Sequence, residues 1–221
     1  MYFLIFLGSS RQSSPPYPQR LGHRVANACL MQMQQLFPDA HVEIIDPLCY
    51  STDTIFKPHF AYRANQAPNQ FNNLADKIKK ANGYLMISPE YNHSMSPALA
   101  DLLNHFGSSL FSFKPSAIIT YSAGQWGGTR AGVHMRTFLG ELGCLPVSAM
   151  IQIPQAQTVL DESGHLSNPL SKHDWEHYFN RTLLQLNWWA QATKQYRSIQ
   201  NPFKLTKALQ KDPSQRNAPN A

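Results

Sequence analysis

Residues 84–103, YLMISPEYNHSMSPALADLL, decide how the chain is read. An apolar run at 84–87 breaks at Ser88-Pro89-Glu90-Tyr91-Asn92, and a second proline, Pro97, then opens a helical pattern. A buried strand passing through a stiff polar loop into a helix is the repeating unit of a parallel sheet, where each strand needs a crossover to reach the next.

The same unit recurs on both sides. Residues 2–7 (YFLIFL) read as a continuous apolar strand followed by Gly8-Ser9-Ser10-Arg11-Gln12-Ser13-Ser14. Leu21, Val25, Ala28 and Leu36 then mark a helical stripe that stops near Pro38. Residues 41–45 (HVEII) are a second strand leading into Asp46-Pro47, and 47–66 show no period and read as a long loop. Phe71, Leu74, Ala75 and Ile78 have the spacing of a half-buried helix. Strand 84–88 is followed by a helix over 96–106. A fourth strand at 116–121 (SAIITY) runs into Ser122-Ala123-Gly124-Gln125-Trp126-Gly127-Gly128. Ala131, Met135, Phe138, Leu139 and Leu142 mark the next helix, with Gly143 suited to its C-terminal cap, and 145–153 is a fifth strand. After a polar loop at 154–170, Trp175, Tyr178, Phe179, Leu183, Leu186 and Trp189 trace a last amphipathic helix. Its tryptophans, Trp175, Trp188 and Trp189, read as core, with a subunit interface as the alternative.

Five strands alternating with helices imply an α/β fold with a parallel sheet covered on both faces. Such sheets bind ligands beyond the carboxyl ends of their strands, at the point where the strand order reverses. The loops after strands one, three and four are therefore the candidate site.

The totals narrow the class. A chain of 221 residues that is 43% hydrophobic has the make-up of a soluble globular domain. No run reaches the roughly 18–20 apolar residues of a membrane-spanning helix, and the opening MYFLIFL lacks a basic leader. Cys29, Cys49 and Cys144 are dispersed without C-x-x-C spacing, which argues against a disulfide scaffold or a metal site and for a cytoplasmic protein. The net charge of +6 is concentrated near the end: Lys194, Arg197, Lys204, Lys207, Lys211 and Arg216 face only Asp212. The body is nearly neutral, so the basicity belongs to a tail and does not mark a nucleic-acid-binding face.

Each of the three loops carries its own chemistry. Gly8–Ser14 offers backbone N–H groups, hydroxyls and a guanidinium at a helix start, a combination suited to a phosphate, although neither the P-loop nor G-x-G-x-x-G is present. Ordinary helix-capping serines are the alternative there. In Pro89–Asn92 the prolines at 89 and 97 restrict the backbone, and the N–H groups of Glu90, Tyr91 and Asn92 suit a flat heteroaromatic ring. The Glu90 carboxylate is read as paired or solvated in preference to a general base. In 122–128 three glycines permit close backbone approach, and Trp126 offers a stacking surface. Arg130 suits an anion or a surface ion pair.

On the segments GSSRQSS (8–14), SPEYNHSMSPAL (88–99) and SAGQWGGTRAG (122–132), the chain resembles the NADPH-dependent FMN reductase family, whose members include quinone, azo-dye and chromate reductases. The resemblance implies a flavodoxin-like three-layer sandwich over residues 1–195. Its five-stranded parallel sheet has the order 2-1-3-4-5, with helices on both faces, and a basic, partly disordered tail follows at 196–221. It further implies that Ser9, Arg11, Ser13 and Ser14 hold the FMN phosphate. Pro89, Glu90, Tyr91 and Asn92 border the isoalloxazine, and Ser122, Gly124 and Gly127 close its other side. One departure is visible: the family's S-x-P-G after the P-E-Y-N loop is replaced by Ser94-Met95-Ser96-Pro97. The implied activity is hydride transfer from NADPH or NADH to FMN and on to a flavin, quinone or similar small acceptor, by a ping-pong mechanism. No catalytic acid or base and no metal is needed, and relatives form homodimers or homotetramers. The competing expectation is a flavodoxin-type electron carrier, which the near-neutral body disfavours.

Overall fold

The computed structural model describes residues 1–13, 17–50, 55–63 and 66–205. Five parallel strands, β1 (Tyr2–Leu7), β2 (His41–Ile45), β3 (Gly83–Pro89), β4 (Pro115–Tyr121) and β5 (Leu145–Ile153), form one sheet in the order β2-β1-β3-β4-β5. This is the flavodoxin-like order expected above. The helices are α1 (Leu21–Leu36), α2 (Asn69–Lys80), α3 (Pro97–Asn104), α4 (Ser108–Phe111), α5 (Thr129–Glu141), α6 (Ala156–Val159) and α7 (Lys172–Ile199).

The continuous apolar run of β1 is explained by burial on both faces. Alternate side chains part to opposite sides of a strand. Phe3, Ile5 and Leu7 therefore join a core with Val25, Cys29, Phe179 and Leu183 under α1 and α7. Leu4 and Phe6 join a second core with Leu74, Ile78, Leu99, Leu103, Met135 and Leu139 under α2, α3 and α5. The sheet is thus the middle of three layers.

Several boundaries differ from the sequence pattern. The helix expected over 96–106 ends at Asn104, and a short α4 follows. The long 47–66 loop contains 3-10 turns at Pro47–Cys49 and His59–Ala61. The 154–170 loop holds α6 and an antiparallel bridge between Leu160 and Leu166. Helix α7 runs to Ile199, past residue 195; Arg197 donates to the Phe113 carbonyl and Phe203 packs its ring against Phe113. Residues 206–221 lie outside the described set, and with them most of the expected tail. The expectation that the tryptophans are core fails at Trp188 and Trp189, which are 63% and 43% exposed; only Trp175 packs against the core. On the outer face of α7, Leu184, Trp188 and Ile199 form an exposed apolar row.

Two ends of the sheet are built differently. At the amino ends of the strands, the buried Lys114 ammonium donates to the carbonyls of Ile78 (2.7 Å), Lys79 (2.9 Å) and Leu110 (2.9 Å) and contacts the Tyr84 hydroxyl at 3.0 Å. It closes the C-terminal turn of α2, where a cation suits the helix dipole. Burial lowers its pKa to about 7. Along the outer border of the sheet, side chains meet the backbone of β5: Arg136 donates to the Val147 and Ser148 carbonyls, and Arg181 to the Met150 carbonyl. Gln185 accepts from the Ala149 N–H and Tyr178 from the Gln152 N–H.

Candidate functional site

The strand register brings the carboxyl ends flush: Leu7 pairs with Ile87, Pro89 with Tyr121, and Tyr121 with Ile153. The loops after β1, β3 and β4 therefore emerge side by side. Gly8 shows how close they are. Its N–H donates to the Ile87 carbonyl at 2.7 Å, and a Cβ there would lie 2.5 Å from that oxygen and 2.9 Å from Ser96 Oγ.

In the first loop Ser9 is buried, whereas Ser10, Arg11 and Gln12 are exposed and Ser13 is half-buried. Ser14 lies outside the described residues. The Ser9 hydroxyl meets the Tyr121 phenol, which reaches across from the end of β4. Burial raises that phenol above the ordinary tyrosine range, more than the Ser9 contact lowers it. The same phenol packs against Gly22, where a Cβ would lie 2.5 Å from its oxygen and 2.8 Å from the Ser9 Cβ. Arg20, only 7% exposed, donates through Nη1 to the Ser9 carbonyl, and through Nη2 it is ion-paired with Asp46 at the end of β2. Its own N–H donates to Ser13 Oγ at 3.1 Å.

In the second loop Ser88 Oγ accepts from the Ser96 N–H and donates to the Pro89 carbonyl, both at 2.8 Å. Tyr91 and Ser94 exchange two backbone hydrogen bonds around Asn92 and His93, both in the left-handed region with φ of 49° and 62°. This is the two-residue turn of the primed type, which asparagine tolerates better than histidine. The Tyr91 N–H is thereby used within the turn. Ser96 caps α3 by accepting from the Leu99 N–H, and Pro97 occupies the first turn, where its missing N–H costs nothing.

The third loop is organised by Ser122 and Thr120. Ser122 Oγ donates to the Gly124 carbonyl at 2.8 Å and accepts from the Gly127 N–H at 2.9 Å, while Thr120 Oγ1 donates to the Gly127 carbonyl at 2.8 Å. Gly127 and Gly128 have φ of 60° and 75°, a region that side chains rarely enter, so the turn into α5 needs both glycines. Gly124 is different: a Cβ added there would meet nothing within 4 Å. The protein's own packing gives no reason for a glycine at that point.

Glu90 ties the second loop to the third. Its Oε2 accepts from the N–H groups of Arg130 (3.2 Å) and Ala131 (3.3 Å), and its Oε1 is 3.5 Å from the Arg130 guanidinium. The carboxylate is thus paired, in the first turn of α5, where the dipole favours a negative charge. Arg130 also lies over the exposed Trp126 ring, 5.5 Å from its centroid. Its two partners are accounted for within the loops.

The expected site residues that are described accordingly fall into two groups. Arg11, Tyr91 (44% exposed), Asn92 and Gly124 face outward at the sheet edge. Ser9, the half-buried Ser13, Pro89, Glu90, Ser122 and Gly127 build the edge that carries them. An exposed guanidinium and hydroxyl at a strand–helix turn, with open backbone at Gly124 and exposed aromatic rings, fit a flat ligand bearing one phosphate. Arg20, Asp46, Thr120 and Tyr121 were missed as site residues. Asp46 had a signal, being a carboxylate at the carboxyl end of a strand, but Arg20 sat in a proline-rich connection without any period.

The topology and this edge define a flavodoxin-like α/β protein. A model of the NADPH-dependent FMN reductase family matches residues 1–158, and the chain belongs to that family. It is 32% identical over 107 residues to the NADH:(hydroxy)cinnamate reductase subunit CrdA of Vibrio ruber, covering 46% of this chain and 53% of that protein. An NAD(P)H-dependent FMN reductase of Pseudomonas aeruginosa is 33% identical over 103 residues, covering 45% and 56%. These matches span about half the length of the curated relatives. Among solved structures, the flavoenzyme FerB, an NAD(P)H:(acceptor) oxidoreductase from Paracoccus denitrificans, aligns with a TM-score of 0.58 at 19% identity, over 84% of this chain and 97% of its own. RosB with a bound flavin-derived intermediate aligns at 0.65 and 12% identity, over 100% and 91%. At such identities the structures speak for the fold.

Proposed function

We propose that this protein is an NAD(P)H-dependent FMN-containing reductase that delivers electrons to a small acceptor such as a flavin or a quinone. The observation that carries this reading is the convergence of the three family segments on one sheet edge, joined by Gly8 to Ile87 and by Glu90 to α5. Ser9, Arg11, Ser13 and Ser14 hold the phosphate, Pro89, Glu90, Tyr91 and Asn92 border the ring, and Ser122, Gly124 and Gly127 close the remaining side. Bound FMN supplies the redox chemistry, accepting hydride from a nicotinamide and passing electrons to the acceptor.

What the chain contributes is position. The glycine turn keeps side chains out of the ring's approach, and the paired Glu90 keeps the two ring-side loops in register. Donor and acceptor use the same open face in turn, which gives ping-pong kinetics, and no side chain acts as acid or base. The three free cysteines accord with a cytoplasmic setting. A homodimer or homotetramer forms over the exposed Leu184, Trp188 and Ile199 row, and light scattering tests it.

The visible spectrum of the purified protein tests the main reading. Flavin absorbance that bleaches on adding NADPH without oxygen supports it, and steady NAD(P)H turnover excludes a bare electron carrier. A polypeptide that binds no flavin overturns it.

A further inference from the structure

We propose that the buried Arg20–Asp46 ion pair is a positioning device that presets the β1–α1 loop for a phosphate monoester, so that the protein separates phosphorylated from unphosphorylated flavin. The inference rests on the cofactor reading above and assigns residues that the family segments do not include.

Arg20 Nη1 donates to the Ser9 carbonyl at 2.5 Å and reaches the Arg11 carbonyl at 3.5 Å. In a trans peptide the N–H points opposite to the C=O of the residue before it. Drawing the carbonyls of Ser9 and Arg11 towards Arg20 therefore turns the N–H groups of Ser10 and Gln12 the other way, and both of these residues are exposed. The result is a loop whose acceptors face inward and whose donors face out, which is the polarity an anion needs. Left to itself, the loop could present carbonyl oxygens to the phosphate, and these would repel it.

Arg20 does not reach the ligand itself. Its side chain is 5% exposed, and Asp46 occupies its second nitrogen. Asp46 is held in turn, because its Oδ1 accepts from the Leu48 N–H at 3.0 Å. The carboxylate balances a guanidinium that would be costly to bury alone. A lysine carries one compact ammonium and cannot serve carbonyl and carboxylate with the same fork. The exposed Arg11 remains the direct partner of the phosphate.

The test measures Kd for FMN and for riboflavin on the full chain, by flavin fluorescence quenching at fixed salt, for wild type, Arg20→Lys and Asp46→Asn. The expected result is an FMN Kd raised about tenfold or more in each variant, the size of a lost charge-assisted contact. The riboflavin Kd stays within about twofold, and the double variant is no worse than the weaker single one. A purely structural role would weaken both flavins alike; that result, or unchanged FMN binding, overturns the proposal. Asp46→Glu, which keeps the charge but shifts the carboxylate away from the Leu48 N–H that holds it, gives the same selective loss at smaller size if Arg20→Lys and Asp46→Asn do not fold. A wild type that binds neither flavin refutes the cofactor reading itself, an outcome distinct from unselective loss in the variants.

Discussion

The carboxylate of Glu90 caps the first turn of α5 through the N–H groups of Arg130 and Ala131, across 40 residues of chain. A side chain used in this way should matter for architecture more than for proton transfer. Glu90→Gln keeps an acceptor oxygen, so flavin reduction should slow by no more than about tenfold. Glu90→Ala leaves two N–H groups without their partner and should cost about 0.5–2 kcal/mol of stability, the range of a lost helix cap. Stopped-flow reduction and denaturant unfolding check both; a thousandfold slower reduction in Glu90→Gln with FMN still bound would make Glu90 an acid or base.

Two glycines of the site should answer substitution in opposite ways. A Cβ at Gly8 collides with the Ile87 carbonyl at 2.5 Å, a backbone atom that cannot swing aside, whereas a Cβ at Gly124 meets no protein atom within 4 Å. Gly8→Ala is expected to lower the melting temperature by several degrees, about 1–3 kcal/mol of overpacking. Gly124→Ala should melt like wild type and yet bind FMN more weakly. Calorimetry with and without FMN separates the two, and equal melting losses would refute the assignment of Gly124 to the ligand.

Lys114 gives the protein a dependence on pH. Its pKa is lowered to about 7 by burial, so above that pH the unfolded chain holds a proton that the native state has released. Stability should therefore rise with pH from about 7, until the buried thiols act in the opposite sense. Cys29 and Cys144 are held up to about 12 in the fold, against an ordinary 9.0, so the unfolded chain loses their protons first and stability falls above about 9. Lys114→Met should abolish the rise between these values. It should also cost about 1–3 kcal/mol, because three carbonyls lose their donor. Urea unfolding at intervals across that range reads both effects.

Much of this architecture was legible because burial leaves a period in the sequence. The run at 145–153 matches β5 to the residue, and Phe71, Leu74, Ala75 and Ile78 all turn out buried on α2. Periodicity failed where an apolar residue faces outward, as at Trp188, since a pattern of hydrophobicity cannot say which tryptophan finds a neighbour. The site was legible as three segments and not as a mechanism of assembly. The bonds that shape it join side chains to distant backbone, as Thr120 does at Gly127 and Arg20 at Ser9, and such bonds follow no spacing rule. Nothing in the spacing shows that the Ser122 hydroxyl spans the Gly124 and Gly127 backbone.

Strand β5 bears on how copies of this protein can meet. With Arg136, Arg181, Gln185 and Tyr178 bonded to its carbonyls and N–H groups over 147–152, β5 is already partly occupied along the stretch where a strand from another chain would pair. Crowding many copies together should accordingly drive helix-to-helix association through α7, and fibril growth from this border would first have to strip four side chains from it.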